Sequence, residues 1–225
     1  MGVDACRAGW IGVVLDRTGV HAYPAATIGE LIDAARADGE LAVVGIDIPI
    51  GLPDHGRRRA DELARAAVGP RRAASVFFTP VRRALAAPDH AEAVRINQEL
   101  AGEGVSIQAY RLRAKVLQVD RWVRQAPTRV AEVHPEVSFA TMAGAPLAAP
   151  KTTWAGAERR RRLLADHGIV VTGDLGAAGA MAAVDDVLDA AAAAWSARRV
   201  ATGSALLLPD PPETFSVGLP CAVCA

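Results

Sequence analysis

The sequence predicts an α/β protein, a sheet flanked by helices. Three observations carry that expectation. Short apolar runs broken by turn residues fill the first 23 positions, a nearly unbroken apolar run covers 41–50, and Ala- and Arg-rich stretches of helical period cover 57–126 and 182–200. With 225 residues the chain can bury a full core as a single domain, 1–225, without disulfides.

In chain order, Met1 to Cys6, Trp10 to Leu15 and Val20 to Tyr23 read as hairpin-connected strands, with Asp16 to Gly19 turning the second into the third. Thr27 followed by Glu30 makes a capping box ahead of Leu31, Ile32 and Ala35, which predicts a helix from Ile28 to Asp38. Leu41 to Ile50 leads into Gly51-Leu52-Pro53 and predicts a central strand buried on both faces. Residues 57–126 are interrupted at Gly69-Pro70 and Thr79-Pro80 and closed by Pro127, which predicts a helical insertion after this fourth strand. Arg129 to His134 returns to strand-like alternation. Gly156 to His167 reads as a charged helix with Arg159 to Arg162 on a solvated face, and Ala182 to Val200 as an Ala-rich helix. The tail 203–225, with four prolines between Pro209 and Pro220, reads as an irregular strap.

Composition narrows the function classes. Equal numbers of basic and acidic residues, 25 of each, leave no basic excess for nonspecific nucleic-acid binding, so any such contact must come from local Arg patches. Lys115 and Lys151 are the only lysines. Cys6, Cys221 and Cys224 are a sparse, odd set that suits reduced thiols, and no second Cys or His pair completes a zinc site with Cys221-x-x-Cys224. With no run of about 18 apolar residues and no basic leader before an apolar stretch, neither a membrane span nor a signal peptide is expected, and the predicted location is the cytoplasm.

The chemistry centres on carboxylates. Asp4 lies inside the first apolar segment and Asp47 inside Val-Val-Gly-Ile-Asp-Ile-Pro-Ile. An ionised carboxylate in a buried sheet is costly unless paired or bound to a metal. Each also suits a turn cap at a strand end. If instead both converge on one edge, their repulsion calls for a divalent cation. Alternation would send Glu132, His134 and Glu136 to one face if that strand persists, a pattern equally ordinary on a half-exposed sheet, and Pro135 marks its end. Asp185 and Asp186 each fall one helical turn before Asp189, so a carboxylate of the last helix could close the site, Asp186 first and Asp185 second; acids at a helix N-terminus also favour the macrodipole.

Five segments carry a resemblance. Gly-Val-Asp-x-Cys-Arg-x-Gly-Trp at 2–10, Ile-Asp-Ile-Pro-Ile-Gly-Leu-Pro at 46–53, Arg71-Arg72 before Ser-Val-Phe at 75–77, Glu-Val-His-Pro-Glu-Val-Ser-Phe at 132–139 and Asp-Asp-x-x-Asp-Ala at 185–190 together resemble the DUF429 family of predicted nucleases, which is similar to the ribonuclease H-like superfamily. The resemblance implies a ribonuclease H-like mixed five-stranded sheet flanked by helices. It maps Asp4, Asp47, Glu132 and Asp186 or Asp189 onto acidic positions around a metal site. Phe78-Thr79 stands where the family often has Pro-Ala, and Ala74 replaces a usual Ser.

The expected activity is hydrolysis of phosphodiester bonds in DNA or RNA by two Mg2+ or Mn2+ ions, with Asp4 between them and Asp47 and a C-terminal Asp on either side. Glu132 is expected as a further ligand or to orient the attacking water, and His134 and Glu136 as supporting or phosphate-contacting groups. Lys151 and the arginine pairs Arg57-Arg58 or Arg71-Arg72 are expected to meet phosphate oxygens, although such runs more often form solvated helix faces. Junction-cleaving members of the superfamily commonly act as dimers, which makes a homodimer an expectation here. Two other classes stay open. An actin-like kinase or ATPase would use the same sheet, but Asp4 is followed by Ala5-Cys6-Arg7 and not by a Gly-Thr or Gly-Ser phosphate loop. A non-catalytic scaffold or nucleic-acid-binding module of the same fold is consistent with the neutral charge.

Overall fold

The computed structural model describes residues 1–225. Its first three strands, β1 (Gly2–Cys6), β2 (Gly9–Leu15) and β3 (Val20–Ala25), form an antiparallel meander. Helix α1 (Ile28–Asp38) starts at Thr27, whose side chain accepts from Glu30 N while the Glu30 carboxylate accepts from Thr27 N, as the capping-box spacing predicts. Strand β4 (Val43–Ile46) then lies parallel to β1. It is shorter than the apolar run 41–50, because regular pairing stops after Ile46 and the chain leaves the sheet at Asp47, whose N–H still reaches Val3 O at 2.9 Å.

Between β4 and the parallel strand β5 (Arg129–Val133) stand α2 (Arg59–Ala67), a 3-10 turn (Ala73–Ser75), α3 (Arg82–Leu85), α4 (His90–Ala101) and α5 (Ile107–Val123). These helices occupy the stretch where the sequence predicts an insertion. After β5 come α6 (Pro135–Ala143), α7 (Trp154–Asp166), α8 (Gly176–Met181), α9 (Val184–Ala201), β6 (Leu207–Thr214) and β7 (Pro220–Cys224). No helix is long and apolar enough to cross a membrane.

Two expectations are corrected. The sheet has seven strands, in the order β3-β2-β1-β4-β5-β7-β6, not five. The additional two come from the tail, which is not an irregular strap: β7 pairs parallel with β5, and β6 antiparallel with β7. Three of the prolines fall within β6, an edge strand that needs backbone donors on one side only.

The sheet separates two apolar cores. On one face Val3, Val44 and Ile46 pack with α1 and α5; on the other Ile11, Val13 and Cys6 pack with α6, α7 and α9. Helix α9 lies unusually close to the sheet because its contact stripe, Ala190 to Ala194, carries only methyl groups. Glycines complete the fit. A Cβ at Gly2 would stand 1.9 Å from Ala194 N, and one at Gly45 2.9 Å from Ala193 O.

Candidate functional site

The close packing of α9 places the acids. Gly2 on β1 and Gly45 on β4 are paired in register and both face α9. Side chains along a strand alternate, so two residues on, Asp4 and Asp47 face the same way, about 6.6 Å nearer the C-terminal edge. Four residues back along α9 from Ala193 is Asp189, a shift of about 6 Å on the same helix face. The two displacements match, and Asp4, Asp47, Asp186 and Asp189 line one cavity of about 270 Å³ at that edge.

Burial and repulsion act on these groups together. Burial, and then the charges of Asp47 and Asp189, push the Asp4 carboxyl well above its ordinary range. Burial pushes Asp47 and Asp189 each up to about 7 against the pull of Lys151. Asp186 at the cavity rim is raised by burial, although its Oδ2 accepts from Ala183 N at 3.3 Å. One Asp4 oxygen accepts from Ala5 N at 2.7 Å, while Asp189 Oδ1 is buried with no hydrogen-bond partner.

The positive charge in this group comes from Lys151, in the loop between α6 and α7. Its Nζ lies 2.5 Å from Asp189 Oδ2 and 3.5 Å from Asp185 Oδ2. Burial pulls the ammonium down, but Asp189, Asp4 and Asp47 outweigh it and hold Lys151 above its ordinary value. Asp185 sits behind Lys151 and does not line the cavity.

Glu132 lines the same cavity but stands apart from the aspartates, and register explains why. It pairs with Ile46, not with Asp47, so its side chain points to the opposite face of the sheet. There Ile50 N donates to it at 2.7 Å and Arg58 Nη2 donates to both of its oxygens at 2.6 and 2.7 Å. Arg58 is fully buried. It also donates to Thr79 Oγ1 at 3.2 Å, and it lies 3.6 Å from Asp61, whose Oδ2 accepts from Thr79 N. Burial pulls its guanidinium down, but Glu132 and Asp61 hold it above its ordinary value. Arg58 is thus an internal clamp and not a phosphate contact.

The remaining expected residues divide. The strand does not persist to Glu136: Pro135 starts α6, and His134 precedes it as its N-cap residue. Burial pulls the His134 imidazole below its ordinary value, and its Nδ1 is buried without a partner at the cavity wall. Glu136 accepts from Arg160 Nη2 at 2.5 Å and Arg72 Nη2 at 3.1 Å. Burial alone would raise its carboxyl; the two arginines, Arg160 first, hold it below the usual range. Arg72 lines the cavity, but Arg71 is exposed and does not, and Arg57 is bound to Glu103 at 2.7 Å on the surface. Arg160, expected on a solvated face, is fully buried.

Sequence reasoning missed the Asp61–Arg58–Glu132 network and the Glu136–Arg160 pair. The second had a signal: Gly156, Arg160, Leu163 and Leu164, all buried, stand at i, i+4, i+7 and i+8, so the apolar stripe of α7 runs through Arg160.

All donors from the four aspartates are oxygens, which suits a hard divalent cation, and the orphaned Asp189 Oδ1 offers an unused lone pair inside the cluster. As the side chains stand, no group of three or more His, Cys, Asp or Glu is disposed to hold a metal ion. The donor chemistry fits Mg2+ or Mn2+, and the cation that sits among these carboxylates is the Lys151 ammonium.

Comparison with known proteins gives one match: the model of the DUF429 family, described as a protein of unknown function, covers residues 2–214. No curated protein and no solved structure matches the chain.

Proposed function

Taking as premise that the chain belongs to the DUF429 family, we propose that its acidic cavity is the active site of a divalent-metal-dependent nuclease of ribonuclease H-like fold. The observation that carries this reading is the convergence of Asp4, Asp47 and Asp189, from β1, the end of β4 and α9, on one cavity with a buried carboxylate oxygen left unpaired. Three buried acids cost more than a fold needs to spend on structure alone, and a doubly charged cation is the ligand that makes them favourable. The five consecutive strands β3-β2-β1-β4-β5, antiparallel then parallel, form a mixed set within the seven and support the fold assignment.

In this reading Asp4, Asp47 and Asp189 hold Mg2+ or Mn2+, with Asp186 beside them. The bound cation supplies an acidified water and neutralises charge on the phosphate. The chain's own residues do the rest. Arg72 at the cavity wall meets phosphate oxygens by charge-assisted hydrogen bonds. Neutral His134, with Nδ1 free, contacts the substrate or its water. Glu132 and Arg58 act through the sheet by holding the end of β4, since Glu132 accepts from Ile50 N just beyond Asp47. DNA or RNA is the proposed partner, bound locally, as the zero net charge requires.

The test is a cleavage panel of single-stranded, duplex, hybrid and branched substrates with Mg2+ or Mn2+, run on the wild type and Asp47→Asn. Metal-dependent cleavage lost in the variant is expected. Full activity in Asp47→Asn, or cleavage indifferent to EDTA, overturns the assignment.

A further inference from the structure

Lys151 is one of two lysines in the chain, and its half-buried side chain carries the ammonium into contact with the acidic cluster. Its Nζ is 2.5 Å from Asp189 Oδ2 and 3.5 Å from Asp185, and it is close enough to Asp4 and Asp47 to feel both charges. The same Asp189 carries the unpartnered Oδ1. Its carboxylate is therefore half used by the lysine, with one oxygen paired and the other buried and idle. A hard cation binding through Asp189 would need that carboxylate to turn or to share, and an ammonium and a divalent cation at contact distance of one oxygen repel strongly in a buried site. The loop holding Lys151 can supply the movement, since Lys151 lies outside any helix or strand, between α6 and α7. The lysine side chain has four rotatable bonds and is a compact point charge, easily redirected.

We propose that Lys151 is an internal counter-cation, which neutralises the aspartate cluster in the metal-free protein and is displaced from Asp189 when a divalent cation binds. This inference rests on the metal-site reading above, and adds to it a competition: lysine and metal bind the same carboxylate in alternation. The competition sets the affinity for the cation by the energy needed to release the lysine. Displacement also frees a positive charge beside the cation, toward Asp185.

Two measurements on the full chain test it. In the first, Mg2+ and Mn2+ are titrated by calorimetry into the wild type and Lys151→Met, which keeps the unbranched stem and removes the charge. Binding at least tenfold tighter in the variant is expected, together with a lower melting temperature in EDTA, because the aspartates lose their counter-charge. In the second, the wild type is treated with an amine-acylating reagent in EDTA and in saturating Mn2+, and modification is mapped by mass spectrometry. Lys151 should become more reactive with Mn2+. Lys115, whose Nζ donates to Gly9 O at 2.7 Å, is the internal control and should not change. This arm needs no variant, so it decides the matter even if Lys151→Met folds poorly. No heat from either cation with either chain removes the metal site and this proposal together. Metal binding by the wild type with unchanged Lys151 reactivity, or with equal or weaker binding in Lys151→Met, overturns the displacement alone.

Discussion

Arg58 Nη2 lies 2.6 Å from Glu132 Oε2, with both side chains buried. The pair joins the start of α2 to β5, and through Ile50 N it fixes the segment just after Asp47. Removing one partner strands the other charge in a dry interior, at a cost of about 3–5 kcal/mol. Arg58→Met should therefore lower stability by about that amount in urea unfolding, and Arg58→Met with Glu132→Leu should recover a large part of it. A single-variant loss below about 1 kcal/mol would contradict an internal clamp.

Both Asp4 and Asp47 were legible in the sequence, because each interrupts an apolar run. Glu132 was misplaced for a definite reason: alternation within Arg129 to Val133 tells which residues share a face, but only the pairing of Ile46 with Glu132 tells which face that is. Register between strands far apart in sequence is not written in either strand alone. Proline misled in the tail, where an edge position in β6 tolerates it, whereas Pro135 rightly marked the end of β5 and opens a helix. Arg160 was hidden by its neighbours: of four consecutive arginines one lies on the buried stripe, and its partner Glu136 is 24 residues away.

Stability should depend on pH through the aspartates. Asp47 and Asp189 are pushed up to about 7 from an ordinary 3.8, chiefly by burial, and Asp4 moves the same way. Between those values the folded protein binds protons that the unfolded chain has released, so stability falls as pH rises through this window. The raised Lys151 does not reverse the slope, since its contribution is present throughout the window and is lost only in alkaline solution. The melting temperature of the metal-free protein in EDTA should therefore decrease from pH 5 to pH 8, and Asp189→Asn should flatten the decrease. A melting temperature that climbs over this range would show the aspartates ionised and compensated without metal.

Close approach of α9 makes Gly2 a sensitive position. A methyl group there would meet main-chain atoms of Ala190, Ala193 and Ala194, which cannot rotate away. Overpacking of this kind costs about 1–3 kcal/mol and is relieved by moving the helix outward. Because Asp189 rides on that helix, Gly2→Ala should lower both stability and Mn2+ affinity. Gly45→Ala, whose nearest contact is 2.9 Å and not 1.9 Å, should do the same more mildly. Unfolding and calorimetric titration of the two variants check the order, and a Gly45 variant more damaged than the Gly2 variant would refute it.

Arg160 ties the lysine loop to the core. Its Nη1 donates to Ala149 O at 3.2 Å, two residues before Lys151, and to Gly156 O at 3.1 Å, while Nη2 holds Glu136 at 2.5 Å. Three acceptors on α6, α7 and the intervening loop are met by one planar fork, a geometry that a lysine ammonium cannot reproduce. Arg160→Met leaves Glu136 with Arg72 alone, so a loss of about 3–5 kcal/mol is expected, with Arg160→Lys recovering less than half. Loss of the Ala149 contact also predicts a local effect separate from stability. Amide hydrogen exchange should quicken over residues 144–153 under native conditions, while β1 to β3, which hold none of the hydrogen-bond partners of Arg160, keep their protection. If exchange in 144–153 were unchanged in Arg160→Met, the loop would be held by something other than this guanidinium, and Lys151 would owe its place beside Asp189 to the ion pair alone.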